Sequence, residues 1–182
     1  MLYPLQIQAL ASYGVRAKAA AAGRQHSLVL GDDGRVWAFG DGARGQLGLG
    51  GTRREHVATP AAVEGLAGVA SVHAGGDASA AVGTDGALWV WGRGEGGALG
   101  TGDEADRPEP GRIGSLEGCR VDGLSLGSAH ALLLVRRPGA GADPVAHAPA
   151  GATAAAASMA AVTGAGTVTA GHIGKGPGSG GG

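Results

Sequence analysis

Apolar positions in this chain fall into short runs, each closed by glycine or proline, and the runs recur in a fixed order. Val15 to Gly23, Val69 to Gly75 and Val121 to Gly127 each run into a glycine. His26 to Leu30, Ala78 to Val82 and His130 to Leu134 follow them. The first two of these lead into Asp33-Gly34 and Asp85-Gly86, a dipeptide that tolerates the positive φ of a tight hairpin turn. Beyond the turn, Arg35 to Gly40 and Ala87 to Gly92 are apolar at successive positions, most plainly in Leu88-Trp89-Val90-Trp91. A short strand without alternation is one buried on both faces. A proline-led segment opens each unit: Pro4, Ile7 and Leu10, then Pro60, Val63 and Leu66, then Pro110, Ile113 and Leu116. Runs of this length bounded by Gly and Pro predict strands, four to a unit.

The units are copies of one another. A shift of 52 residues lays Ala78 to Gly102 over His26 to Gly50 with eleven identities in 25 positions, at Ser79, Gly83, Asp85, Gly86, Trp89, Gly92, Gly94, Gly97, Leu99, Gly100 and Gly102. A period of this length, rich in glycine and aromatic residues, marks an array of one supersecondary element. Four short strands per unit, with each sheet covered on both faces by its neighbours, describe the blade of a β-propeller. The expected fold is therefore all-β, a partial propeller of four-stranded blades at about 4–40, 60–92 and 110–135 within a repeat region 1–137.

The repeat carries a specific pattern: Gly23-x-x-His26-Ser27, then Asp33-Gly34-x-Val-Trp37-x-Phe-Gly40, then Gly45-Gln46-Leu47-Gly48. This resembles the repeat of the regulator of chromosome condensation family over residues 4 to 135. The resemblance implies a seven-bladed ring with one blade per repeat. It leaves activity open, because the family includes exchange factors for small GTPases, ubiquitin-ligase components, a plant ultraviolet-B photoreceptor and β-lactamase inhibitors. The second unit departs at Ala78, where the first has His26, and at Ala98, where the first has Gln46. The third regains Gly127 and His130 but places Arg137-Pro138 where the turn belongs, so its last strand is expected to be missing. Two units and three quarters of another leave two sheet faces without a neighbour, and no polar cap is evident at either end. The expectation is a piece of a longer protein, or a chain completed by self-association through its open blade faces.

Composition narrows the partners. Residues 138–182 hold 14 Ala, 12 Gly and only Asp143 and Lys175 as charged side chains, which predicts a disordered low-complexity tail. Within it, Gly174-Lys175 lacks the spacing of a phosphate loop, and the alanine-rich run 152–161 is at best a marginal helix. A formal net charge of −1 gives no footprint for direct binding of nucleic acid or an acidic membrane. A lone cysteine, Cys119, and the absence of a basic-then-apolar leader favour an intracellular place, cytoplasmic or nuclear.

The motifs that invite chemistry do not hold together. Gly40-x-Gly42-x-x-Gly45 and Gly92-x-Gly94-x-x-Gly97 follow strands as a dinucleotide fingerprint does, but the glycine-rich residues after them cannot open the required helix. His26 and Ser27 are neighbours on a strand and point to opposite faces, so they are no base and nucleophile. His26 and His130 are expected to be structural, and no histidine has metal-ligand spacing with Cys or carboxylates. Neither cofactor nor metal is expected, and the chain is read as no enzyme. Trp37 with Phe39, and Trp89 with Trp91, are expected to pack between blades, while Gly75, Leu99 and Gly100 belong to the repeat framework. Without tryptophan in Gly23-Arg24-Gln25-His26, light sensing is disfavoured. The surface signal lies in two loops of opposite sign, Arg53-Arg54-Glu55-His56 and Asp103-Glu104-Ala105-Asp106, within 41–59 and 93–110. They are the expected contact points of a protein partner, a small GTPase among the candidates.

Overall fold

The computed structural model describes residues 6–51, 55–66, 68–137 and, as backbone, 159–163. The chain folds into three sheets stacked face to face. The first is an antiparallel meander of β1 (Ala17–Ala22), β2 (His26–Gly31), β3 (Val36–Gly40) and β4 (Val57–Ala62). The second repeats it with β5 (Val69–Gly75), β6 (Ala78–Gly83), β7 (Leu88–Gly92) and β8 (Arg107–Arg112). In the third, β9 (Arg120–Leu126) pairs antiparallel with β10 (Ala131–Arg136), and β11 (Met159–Thr163) pairs with β10 in parallel. Of the tail 138–182, only β11 is among the described residues, so most of what was expected there lies outside them.

The blade boundaries differ from those read in the sequence. The proline segments Val57–Ala62 and Arg107–Arg112 do not open units at 60 and 110. Each closes the preceding sheet, pairing Trp37 with Ala62 and Trp89 with Arg112. The cause is the long loop after β3 or β7, which brings the chain back along that strand's free edge and satisfies its backbone groups. The sheets therefore run 17–62, 69–112 and 120–136, the last joined by β11, rather than 4–40, 60–92 and 110–135. At the start of the chain, Ile7 and Leu10 flank or occupy a single helical turn, α1 (Gln8–Ser12), rather than a strand. Their spacing of three suits a helix, the Tyr13 N–H donates to the Ala9 carbonyl at 3.1 Å, and Gly14 at φ +70° ends the turn.

Glycine fixes the turns and bulges. Gly34 N–H bonds to Gly31 O and Gly31 N–H to Arg35 O, a three-residue connection with Gly34 left-handed at φ +80°. The Asp33 carboxylate accepts from the Arg35 N–H, as Asp85 does from Ala87. Gly40 and Gly92, at φ +108° and +106°, sit where the register to β4 and β8 shifts, and a Cβ there would press into the carbonyl of Gln25 or Asp77.

Two seams make up the core. In the first, Leu28, Leu30, Val36 and Ala38 meet Val72, Ala81 and Trp91, with Trp89 packed alongside. In the second, Ala78, Ala80, Val82, Leu88 and Val90 meet Val121, Ala131, Leu133 and Val135. Every residue of β6 is buried, as a middle layer requires. Trp37 and Phe39 face the other way, onto the outer side of the first sheet. There the Tyr13 ring stacks on Trp37 with centroids 5.2 Å apart, so the segment before β1 partly covers a face that the sequence left bare.

Candidate functional site

The β1–β2 and β5–β6 turns and the β3–β4 and β7–β8 loops all lie at one end of the stack, because consecutive strands alternate in direction. That end carries most of the ordered polar chemistry of the chain. Its centre is Gln46, fully buried, whose carbonyl accepts from Ser79 Oγ at 2.7 Å and from Trp91 Nε1 at 2.9 Å across the first seam. The Gln46 amide donates to Asp41 at 2.9 Å, and its side-chain oxygen accepts from the Arg44 N–H at 2.8 Å. The Gly45-Gln46-Leu47-Gly48 corner is thus a plug that the first blade inserts into the second. Gly45 lies so close to Pro108 that a Cβ would meet the latter's Cα at 2.6 Å.

His26 completes the seam. Its Nε2 stands 2.8 Å from Ser79 Oγ. Because Ser79 gives its hydrogen to Gln46, His26 must donate through Nε2, which leaves Nδ1 a bare, buried lone pair. Burial accordingly holds the His26 pKa below its ordinary value, outweighing the opposing pull of Asp77 and Asp41. Ser27 lies on the opposite face, as the strand geometry predicts. Above them Arg24 grips the buried Asp77 carboxylate through Nε at 3.1 Å and Nη2 at 2.7 Å. Arg24 and Asp77 were not singled out from sequence. Their places beside the repeated Gly-x-x-His segment were the available signal.

The expected loop residues fall into two groups. Asp103 accepts from Thr101 Oγ1, the Ala105 N–H and Arg107, and these bonds, Thr101's foremost, hold its carboxyl below the ordinary range. Asp106 accepts from the Gly94 N–H at 3.0 Å and pairs with Arg44 of the first loop at 3.5 Å. Both carboxylates therefore shape the loops. Glu55, His56 and Glu104 are exposed with no side-chain partner among the described residues, and Arg53 and Arg54 lie outside those residues. Gly40 to Gly45 passes into turns, and Glu95–Gly97 is a single 3-10 turn, so neither glycine run opens an α-helix. No trio of metal-binding side chains occurs among the described residues, and no described helix is long and apolar enough to cross a membrane.

The second seam lacks this network. Gly76, Ala78, Ala98, Ala129 and Ala131 stand where the first has Arg24, His26, Gln46, Asp77 and Ser79. A cavity of about 240 Å³ opens at that place, lined by Asp77, Ala78, Arg93, Glu95, Ala98 and Ser128 among others.

The regulator of chromosome condensation (RCC1) repeat model matches residues 33–82 and 85–134, and a second model of the same description matches 17–46. Among curated proteins the chain is 38% identical over 131 residues to the ultraviolet-B receptor UVR8 of Arabidopsis thaliana, which covers 71% of this chain and 29% of that one. It is 35% identical over 119 residues to the regulator of chromosome condensation of Xenopus laevis, covering 64% and 28%. Among solved structures, human WBSCR16 superposes with a TM-score of 0.60 at 31% identity, covering 66% and 31%. Yeast RCC1 (Prp20) bound to Kap60 gives 0.60 at 27%, covering 63% and 29%. The chain thus spans about three tenths of the length of these relatives. With the repeat matched over more than half of its residues and the same blades in its fold, the chain belongs to the regulator of chromosome condensation repeat family.

Proposed function

We propose that this chain is a non-catalytic protein-binding module whose contact surface is the loop end of the first two blades. The observation that carries this reading is the division of labour in those loops. Gln46, Arg44, Asp103 and Asp106 spend their polar groups on holding the loops still, while Glu55, His56 and Glu104 stand exposed, with no side-chain partner among the described residues. Side chains presented from anchored loops lose little freedom on binding, which is what a recognition surface needs. The test compares proteins captured by the wild-type chain and by Glu55→Lys/Glu104→Lys. Loss of specific partners with an unchanged urea midpoint supports the surface, and an identical set of partners overturns it.

A second reading, nucleotide exchange on a small GTPase, is favoured by the likeness to Prp20p of Saccharomyces cerevisiae, a protein described with binding properties to Gsp1p and histones (TM-score 0.59, 27% identity). Exchange works by distorting the partner's nucleotide site and needs no catalytic triad here. Release of labelled GDP from a panel of small GTPases tests it, and no stimulation by the chain at saturating concentration removes it.

A further inference from the structure

Among the described residues, the exposed large hydrophobic side chains are Ile7, Tyr13, Leu132 and Leu134. Tyr13 lies on the outer side of the first sheet, against Trp37, with Ile7 earlier in the same segment, and Leu132 and Leu134 lie on the outer side of the third. In repeat register two of them hold positions that are buried inside the stack. Leu132 and Leu134, 40% and 48% exposed, correspond to Leu28 and Leu30, which are fully buried in the first seam. Ile7 lies in the segment before β1 as Val63 and Ile113, both buried, lie in the segments before β5 and β9. The two outer faces are therefore the two halves of one more seam, carried at opposite ends of one chain.

The polar groups repeat the relation. His130 stands where His26 stands, and Ser27 stands where Ser79 stands. His130 is exposed and Ser27 half-buried, on opposite outer faces and with no side-chain partner among the described residues, whereas His26 and Ser79 meet at 2.8 Å. Gly127 makes room for the His130 ring as Gly23 does for His26, since a Cβ at either would overlap the imidazole. Charge raises no obstacle, because Ser128 and Gln25 occupy the places of Arg24 and Asp77.

We propose that the outer face of the third sheet receives the outer face of the first sheet of a second copy of this chain, head to tail. His130 of one copy bonds to Ser27 of the other, and Leu132 and Leu134 pack against Phe39 and the stacked Tyr13–Trp37 pair. The two surfaces match each other by the register that builds the internal seams, which singles out a second copy as the occupant. Such an interface is heterologous, so copies add head to tail, in an open row or a closed ring, and association grows with concentration. This goes beyond the loop reading and involves none of its residues.

The test uses the whole 182-residue chain in sedimentation velocity from about 1 to about 100 µM. Two variants each block one face: Leu132→Lys/Leu134→Lys on the third sheet and Ser27→Arg on the first. Each variant alone is expected to stay monomeric, and an equimolar mixture is expected to give one dimer and nothing larger, because each partner keeps one working face. His130→Ala, at an exposed position, keeps the fold and is expected to weaken wild-type association about five- to tenfold. A wild-type chain that is monomeric at the highest concentration overturns the proposal. So does association untouched by His130→Ala, or a mixture of folded variants that fails to pair. Glu55→Lys/Glu104→Lys should associate like wild type, so failure of the loop surface and failure of this seam read out separately.

Discussion

Removing one oxygen atom at Ser79 is expected to cost about 2–4 kcal/mol, far more than a serine-to-alanine change at an ordinary buried site. Ser79 Oγ is a relay: it accepts from His26 Nε2 and donates to the Gln46 carbonyl. In Ser79→Ala the carbonyl keeps its bond from Trp91, so that side of the loss is small. His26 is worse off. Its Nε2–H loses its acceptor in a site where Nδ1 already lacks a partner, and a stranded buried donor costs about 1–3 kcal/mol beyond the lost bond. The second seam supplies the control, since Ala78 and Ala131 occupy the same two places and pack without any polar group. The double variant His26→Ala/Ser79→Ala removes the stranded group, so its cost should fall short of the sum of the single costs by about 1–2 kcal/mol. Urea unfolding followed by tryptophan fluorescence measures all four corners, with equal m values as the check that only stability moved. A Ser79→Ala loss below about 0.5 kcal/mol, or a cycle additive within that margin, would refute the relay.

Two further outcomes follow from the same geometry. Burial depresses the pKa of both His26 and His73, so each takes up its proton at a lower pH in the folded chain than in the unfolded chain, which does so near pH 6.5. The unfolded state then binds more protons, and stability falls as pH drops through that point, by at most about 1.4 kcal/mol per pH unit for each group. Urea midpoints at pH 7.5 and 5.5 should show this, and His26→Gln should flatten the slope. At Gly92, alanine would meet both a left-handed φ of +106° and the Asp77 carbonyl, so Gly92→Ala should lose about 3 kcal/mol or more by thermal or urea unfolding.

How much of this was legible depended on whether one residue or two carried the information. The repeat itself was, since Gly34, Trp37 and Gly40 recur 52 residues on at Gly86, Trp89 and Gly92, and each answers to a local need for a turn, an apolar face or a bulge. Sheet membership was not. Val57–Ala62 begins a motif in sequence but ends a sheet in space, because the pairing depends on where a sixteen-residue loop returns the chain, and no local propensity encodes that. The part played by Gln46 was half visible. Its recurrence in the family pattern marked it as structural, yet its partners Ser79 and Trp91 lie 33 and 45 residues away. Reading charge alone, Asp103, Glu104 and Asp106 looked equivalent. The backbone donors that capture Asp103 and Asp106 and pass over Glu104 are a property of loop geometry.

The inequality of the two seams decides how the stack comes apart. The first is locked by a buried carboxylate held in a two-bond grip, a histidine–serine–carbonyl relay and an inserted glutamine. The second replaces every one of those groups by glycine or alanine and keeps a cavity where they would sit. Among the described residues the third sheet has a neighbour on one face only, and β10 alternates buried and exposed positions while β6 is buried throughout. Fewer apolar contacts and no polar lock lower the free energy of local opening. Amides of Leu133 and Val135 on β10 should therefore exchange through a partial opening that leaves Leu28, Leu30, Ala80 and Ala81 protected, giving two separate levels in native-state hydrogen exchange. Equal protection across all three sheets would mean that apolar packing alone sets the cohesion of the blades, and that the Gln46 plug and its partners position the loops without strengthening the stack.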